Sequence, residues 1–133
     1  MTERETPKCV LIVAGETSGD FHGAHLVRAM RKRDAHLCFC GIGGDRLKAE
    51  GVRLLMAAQD ISVVGITEVI SKLSKVFAGI SAIKKTFNSH RPELVVLIDF
   101  PDFNLHIAKL AKKHGLPVLY YISPQIWAWR SGR

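Results

Sequence analysis

Cys9-Val-Leu-Ile-Val-Ala14 is an unbroken apolar run that passes directly into Gly15-Glu-Thr-Ser-Gly-Asp20. Continuous rather than alternating apolar character, rich in β-branched residues, is how a strand buried on both faces reads. A strand of that kind belongs inside a parallel sheet covered by helices. The residues beyond Asp20 supply such a helix, with Leu26, Val27 and Met30 on one stripe and Arg28, Arg31 and Lys32 on the other. Strand followed by helix is half of a crossover unit, so the first run is expected to be a central parallel strand.

The alternation then repeats. A strand is expected over residues 36–40, a turn at Gly41-Ile-Gly-Gly44, a short helix over 46–50 and a strand over 52–56. From Ile66 the apolar positions Val69, Ile70, Leu73, Val76, Phe77, Ile80, Ile83 and Phe87 step by three or four, which is helical spacing. Pro92 closes that helix. Leu94-Val-Val-Leu-Ile98 is a second all-apolar strand and ends at Asp99. A helix over 104–114 carries Leu105, Ala108, Leu110 and Ala111 on its stripe, Gly115 caps it, and Pro117-Val-Leu-Tyr-Tyr-Ile122 is the last strand. The fold class expected is α/β: a doubly wound, mostly parallel Rossmann-like sheet with right-handed crossovers.

Length and composition agree with one domain over residues 1–133. With 47% hydrophobic and 23% charged residues the chain can bury a single core, and no linker or repeat divides it. The formal charge of +7 draws it toward phosphate-rich partners such as nucleic acid, anionic lipid or sugar nucleotides. Cys9, Cys38 and Cys40 lack the C-x-x-C spacing of zinc or redox sites, so buried thiols in a reducing cytosol are expected. The first apolar run is too short for a signal peptide and no segment is long enough to span a bilayer. No metal site and no cofactor are expected; His22 and His25 are near neighbours on a helix without further ligands, and His22 is at most a rim residue.

In an open parallel sheet all strands end at one edge, and ligands bind in the crevice there. The loops after the strands therefore converge although they are distant in sequence. Gly15-Glu-Thr-Ser-Gly-Asp20 is neither G-x-G-x-x-G nor a P-loop. It reads equally as a binding loop, whose amides face an anion, or as a helix cap made by Ser18 or Asp20. In Ile98-Asp-Phe-Pro-Asp-Phe-Asn104, Asp102 reads as a turn or cap. Asp99 follows an apolar strand immediately and reads as a partly desolvated carboxylate able to act as a general base. Both tryptophans fall in Ser123-Pro-Gln-Ile-Trp-Ala-Trp129, either a domain contact or a ligand-facing wall.

Five blocks in order, Ala14-Gly-Glu-Thr-Ser-Gly-Asp20, Gly41-Ile-Gly-Gly44, Val64-Gly-Ile-Thr-Glu-Val69, Ile98-Asp-Phe-Pro-Asp-Phe-Asn104 and Ser123-Pro-Gln-Ile-Trp-Ala-Trp129, resemble lipid-A-disaccharide synthases over nearly the whole chain. Departures are mild: Phe100 where that family commonly has a small residue, and Gln125-Ile126 in the tryptophan loop. The resemblance implies the amino-terminal, acceptor-side half of a GT-B glycosyltransferase. The carboxyl-terminal domain that grips the UDP donor would follow Arg133, and the chain alone is expected to be inactive. It implies transfer of 2,3-diacylglucosamine from UDP-2,3-diacylglucosamine to 2,3-diacylglucosamine 1-phosphate (lipid X), giving a β-1,6-linked disaccharide and UDP. Asp99 is the implied base, and Gly15, Glu16, Ser18, Gly19, Asp20, Asn104, Ser123 and Trp127 are the implied substrate-binding residues.

Such an acceptor carries acyl chains, which gives the long helix a second reading. Ile66, Val69, Ile70, Leu73, Val76 and Phe77, beside Lys72 and Lys75, either face the core, as periodicity favours, or receive acyl chains at a membrane surface. The expected location is the cytoplasmic face of the inner membrane, held peripherally, with no nucleic-acid partner. Two rival classes remain. A nucleotide-binding Rossmann oxidoreductase should show G-x-G-x-x-G after its first strand, and a basic nucleic-acid module should bring a recognised motif beside its charge.

Overall fold

The computed structural model describes residues 8–58, 69–99 and 101–121, the side chains of 69–73, 101 and 102 excepted. Among the described residues five parallel strands form one sheet: β1 (Cys9–Ala14), β2 (Cys38–Gly43), β3 (Arg53–Ala57), β4 (Leu94–Ile98) and β5 (Val118–Tyr121), in the order β3-β2-β1-β4-β5. The helices are α1 (Thr17–Arg33), α2 (Asp45–Ala49), α3 (Val69–His90) and α4 (Pro101–Lys113). The doubly wound α/β arrangement expected from the alternation is the one found.

Each face of the sheet has its own apolar layer. Leu11, Val13, Val95 and Leu97 point to one face, where they meet Ile83 and Phe87 of α3 and Ile107 and Ala111 of α4. Val10, Ile12, Val96 and Ile98 point to the other, against Ala24 and Val27 of α1 and Leu47 of α2. Burial of alternate residues on both faces explains why β1 and β4 are apolar at every position. Arg31, Lys32 and Arg33 occupy the last turn of α1, where positive charge complements the exposed carbonyls. Arg28 reaches the Glu50 carboxylate at 2.6 Å and Arg31 donates to the Glu50 carbonyl, tying α1 to the end of α2.

Three expectations are corrected. Gly41 to Gly43 belong to β2 rather than to a turn, because the strand needs glycine there. A Cβ on Gly41 would stand 1.8 Å from the Ile12 carbonyl oxygen, and its φ of +153° accompanies a register shift between Gly41 and Ile42. Helix α4 begins at Pro101 rather than Asn104. Proline lacks only an N–H that the first turn leaves unpaired in any case, so it opens the helix instead of preceding it. Cys9 and Cys38, expected as free thiols, are in-register partners on β1 and β2 and are joined as a disulfide. Cys40 is the free cysteine, and burial pushes its thiol above the ordinary range against the opposing pull of Arg53.

The long helix divides its apolar stripe. Val76 and Ile80 pack against the core beside the buried Ile83 and Phe87, whereas Phe77 is 65% exposed. Ile66 and the side chains of Val69, Ile70 and Leu73 lie outside the described residues. Among those described, no helix is long and apolar enough to cross a membrane.

Candidate functional site

The strand order reverses between β1 and β4. From β1 the chain proceeds to β2 and β3 on one side, and β4 and β5 lie on the other. Helices α1 and α4 leave these two strands toward opposite faces of the sheet. A crevice opens where they diverge, at the carboxyl ends of the strands. Ala14 is paired with Ile98, so Gly15 and Asp99 leave neighbouring strands at the same level. Ile98 is paired in turn with Tyr121 of β5. Ser123 and Trp127 lie outside the described residues.

On the β1 side the loop turns at once into α1. Glu16 holds the capping position in extended conformation, and the Asp20 amide donates to its carbonyl at 2.9 Å. Gly15 and Gly19 are buried, while Glu16, Thr17 and Ser18 are exposed. A Cβ on Gly19 would meet Ile98 Cγ2 at 3.2 Å and Ala14 Cβ at 3.4 Å. Glycine there lets the first turn of α1 lie directly on β1 and β4. Glu16, Thr17 and Ser18 are therefore the side chains of this loop that lie outside the core, at the first turn of α1.

Asp20 is only 6% exposed. Its Oδ1 accepts from the amides of Gly44 at 2.8 Å and Leu47 at 3.1 Å, and its Oδ2 from Arg46 at 3.0 Å. Helix α2 has Gly44 at its N-cap and so no capping side chain of its own. Asp20 supplies the cap from another helix. Its contribution to the rim is to fix the loop after β2 against α1.

Asp99 is built differently. It is half-buried, and among the described residues it is the only one other than glycine with a positive φ, +48°. Left-handed backbone costs an L-residue about 1–2 kcal/mol, less for aspartate than for most. Something must hold it. The Asp99 carbonyl accepts Asn104 Nδ2 at 2.7 Å and the Tyr120 hydroxyl at 3.1 Å, and Asn104 Nδ2 also reaches the Ile98 carbonyl at 3.3 Å. Asn104 is fully buried. Two carbonyl acceptors on one end fix the orientation of its amide, and its Oδ1 has no partner among the described residues. Burial and the nearby Asp99 charge raise the Tyr120 hydroxyl above its ordinary range, so it stays protonated and able to donate at neutral pH.

Gly15, Glu16, Ser18, Gly19 and Asp99 thus meet at the junction of β1 and β4, with Asp20 and Asn104 beneath them as buried supports of the two loops. Sequence reading missed Tyr120, which looked like one more strand residue. It also missed Arg46, whose guanidinium stands 5.0 Å over the exposed ring of Phe21 at the same edge. No local signal marks either, because both pairings join distant elements. A cavity of about 330 Å³ lies at the opposite, amino edge of the sheet, lined by Cys9, Cys38, Arg53 and His90 among others. It is remote from the strand ends that carry Gly15 and Asp99.

Comparison with known proteins bears on the fold and the family. Two solved glycosyltransferases share the fold. The calicheamicin glycosyltransferase matches with a TM-score of 0.59 at 18% identity, covering 89% of this chain and 33% of that one. A glycosyltransferase from Siraitia grosvenorii in complex with UDP matches with a TM-score of 0.56 at 12% identity, covering 85% of this chain and 27% of that one. The sheet is accordingly that of a GT-B half. The lipid-A-disaccharide synthase of Syntrophus aciditrophicus is 58% identical over 95% of this chain and 33% of its own length. The enzymes of Geobacter sulfurreducens and Coxiella burnetii are 47% and 46% identical over 100% and 95% of this chain. The chain spans about a third of the length of these relatives. The family model described as lipid-A-disaccharide synthetase matches residues 10–133, and the oxidoreductase and nucleic-acid alternatives fall away: the chain belongs to the lipid-A-disaccharide synthase family.

Proposed function

We propose that this chain forms the acceptor side of a lipid-A-disaccharide synthase, working with a donor-binding domain of the same enzyme. The observation that carries the reading is the pairing of Ala14 with Ile98, by which the exposed Glu16 and Ser18 and the half-buried Asp99 share one crevice. In the reaction a hydroxyl of 2,3-diacylglucosamine 1-phosphate attacks the anomeric carbon of UDP-2,3-diacylglucosamine from the face opposite UDP. The new carbon–oxygen bond forms as the bond to UDP breaks, and the hydroxyl proton passes to Asp99. A base held at the acceptor lowers the barrier by proximity and by removing the proton as charge develops. The exposed Glu16 and Ser18 suit the sugar hydroxyls, and Ser123 and Trp127 are assigned to the same acceptor pocket on family grounds. The test is to join this sequence to the remaining two thirds of the Syntrophus aciditrophicus relative and to measure UDP release with both substrates. Turnover within about ten-fold of the parent supports the reading; a folded hybrid without turnover contradicts it.

The same reading includes peripheral attachment to the cytoplasmic face of the inner membrane, where a diacylated acceptor resides. Phe77 at 65% exposure, on a helix that also exposes Lys75 and Lys84, is suited to an anionic interface. The charge of +7 acts in the same direction. Phe77→Ser should weaken sedimentation with anionic vesicles about ten-fold, from the apolar area of one aromatic ring. Unchanged sedimentation would remove α3 from the contact.

A further inference from the structure

We infer that Tyr120 and Asn104 are positioning residues for the transfer reaction: together they clamp the Asp99 carbonyl and thereby hold the Asp99 carboxylate at the crevice. The inference rests on the proposed role of Asp99 as base. Asp99 follows Ile98 at the end of β4, and in an extended strand its side chain would share the face of Leu97, beneath α4. Rotation to a φ of +48° breaks that alternation and re-aims the Cα–Cβ bond. This conformation is intrinsically disfavoured, so its population depends on what holds it.

Two side chains from different elements do so through one atom. Asn104, buried in α4, donates at 2.7 Å, and Tyr120, on the neighbouring strand β5, donates at 3.1 Å, both to the Asp99 carbonyl oxygen. Asn104 also ties the preceding carbonyl of Ile98 at 3.3 Å. Both bonds act on the Asp99 main chain rather than on its carboxylate. The clamp joins β5 and α4 to the turn, so a displacement of either element reaches the carboxylate.

The test is kinetic, in the full-length hybrid enzyme. Tyr120→Phe removes one hydroxyl and keeps the ring. It should lower kcat about ten-fold and leave KM for both substrates within about two-fold, since orientation rather than binding is lost. In an Asp99→Asn background the same substitution should have no further effect on kcat, because Tyr120 acts through the carboxylate that has been removed. Equal effects in both backgrounds, or no effect in the first, would overturn the clamp. If Asp99→Asn itself leaves turnover near normal, the base assignment fails instead, and the two failures are told apart. Asn104→Ser shortens the second donor and carries the same pair of measurements if Tyr120→Phe does not fold. A crystal structure of Tyr120→Phe that retains Asp99 at positive φ with the wild-type carboxylate position would also contradict the proposal.

Discussion

Asp20 and Asp99 stand on either side of the same strand ends and are used in opposite ways. Asp20 has both carboxylate oxygens filled by three backbone amides at the start of α2. Asp99 has its main-chain carbonyl held by two side chains, Asn104 of α4 and Tyr120 of β5. The first aspartate spends its charge on the fold, and the second has the fold arranged around it. A carboxylate whose oxygens are taken up by three amides is committed to the fold, whereas one whose backbone is clamped at a strand end is held in a fixed place at the crevice.

The largest expected effect on stability lies on the Asp20 side. Asp20→Ala leaves three amides at the start of α2 without acceptors, two of them paired to one oxygen, and should cost about 2–4 kcal/mol in urea unfolding. Asp20→Asn keeps one acceptor oxygen and should cost less. A loss below about 0.5 kcal/mol for the alanine variant would dissolve the contrast, since Asp20 would then be no more structural than an ordinary surface residue.

The next effect couples the two corners. Gly19→Ala places a Cβ 3.2 Å from Ile98 Cγ2, so α1 must lift from β4 or Ile98 must move. A stability loss of about 1–2 kcal/mol is expected. In the hybrid enzyme turnover should fall more than stability alone explains, because Glu16 and Ser18 shift relative to Asp99. Full activity in a Gly19→Ala enzyme would mean that the close seating of α1 serves packing only.

The smallest effect concerns alkaline pH. The Tyr120 hydroxyl has a raised value in the folded chain, caused by burial first and by Asp99 second. Its contribution to stability is therefore fully present below the ordinary tyrosine value of about 10 and is lost as pH rises through the raised folded value. Tyr120→Phe should remove this part of the alkaline destabilisation. Identical alkaline profiles for the two proteins would show that Tyr120 takes no part in it.

The sheet was readable because β1 and β4 are apolar at every position, which only a strand covered on both faces requires. The helix after each strand was readable for a similar reason: the stripes of α1, α3 and α4 repeat at helical spacing. Where reading failed, the deciding contact was non-local. Gly41 looks like a turn residue until the Ile12 carbonyl is seen against it, and Pro101 looks like a turn until the helix is seen to start there. Asp20 read as a helix cap or binding residue and Asp99 as a base, but nothing in the local sequence names Gly44, Arg46 and Leu47 as partners of one, or Tyr120 as a partner of the other. The apolar stripe of α3 was legible, but its split between the buried Ile83 and the exposed Phe77 depends on how α3 rests on the sheet.

The most direct test is the turnover number of Asp99→Asn in the full-length hybrid enzyme, measured beside its thermal midpoint. With the fold intact, kcat should fall by about two orders of magnitude or more, the usual contribution of a general base. Near-normal turnover in a folded Asp99→Asn enzyme would contradict the assignment of the β1–β4 crevice as the place where the acceptor loses its proton.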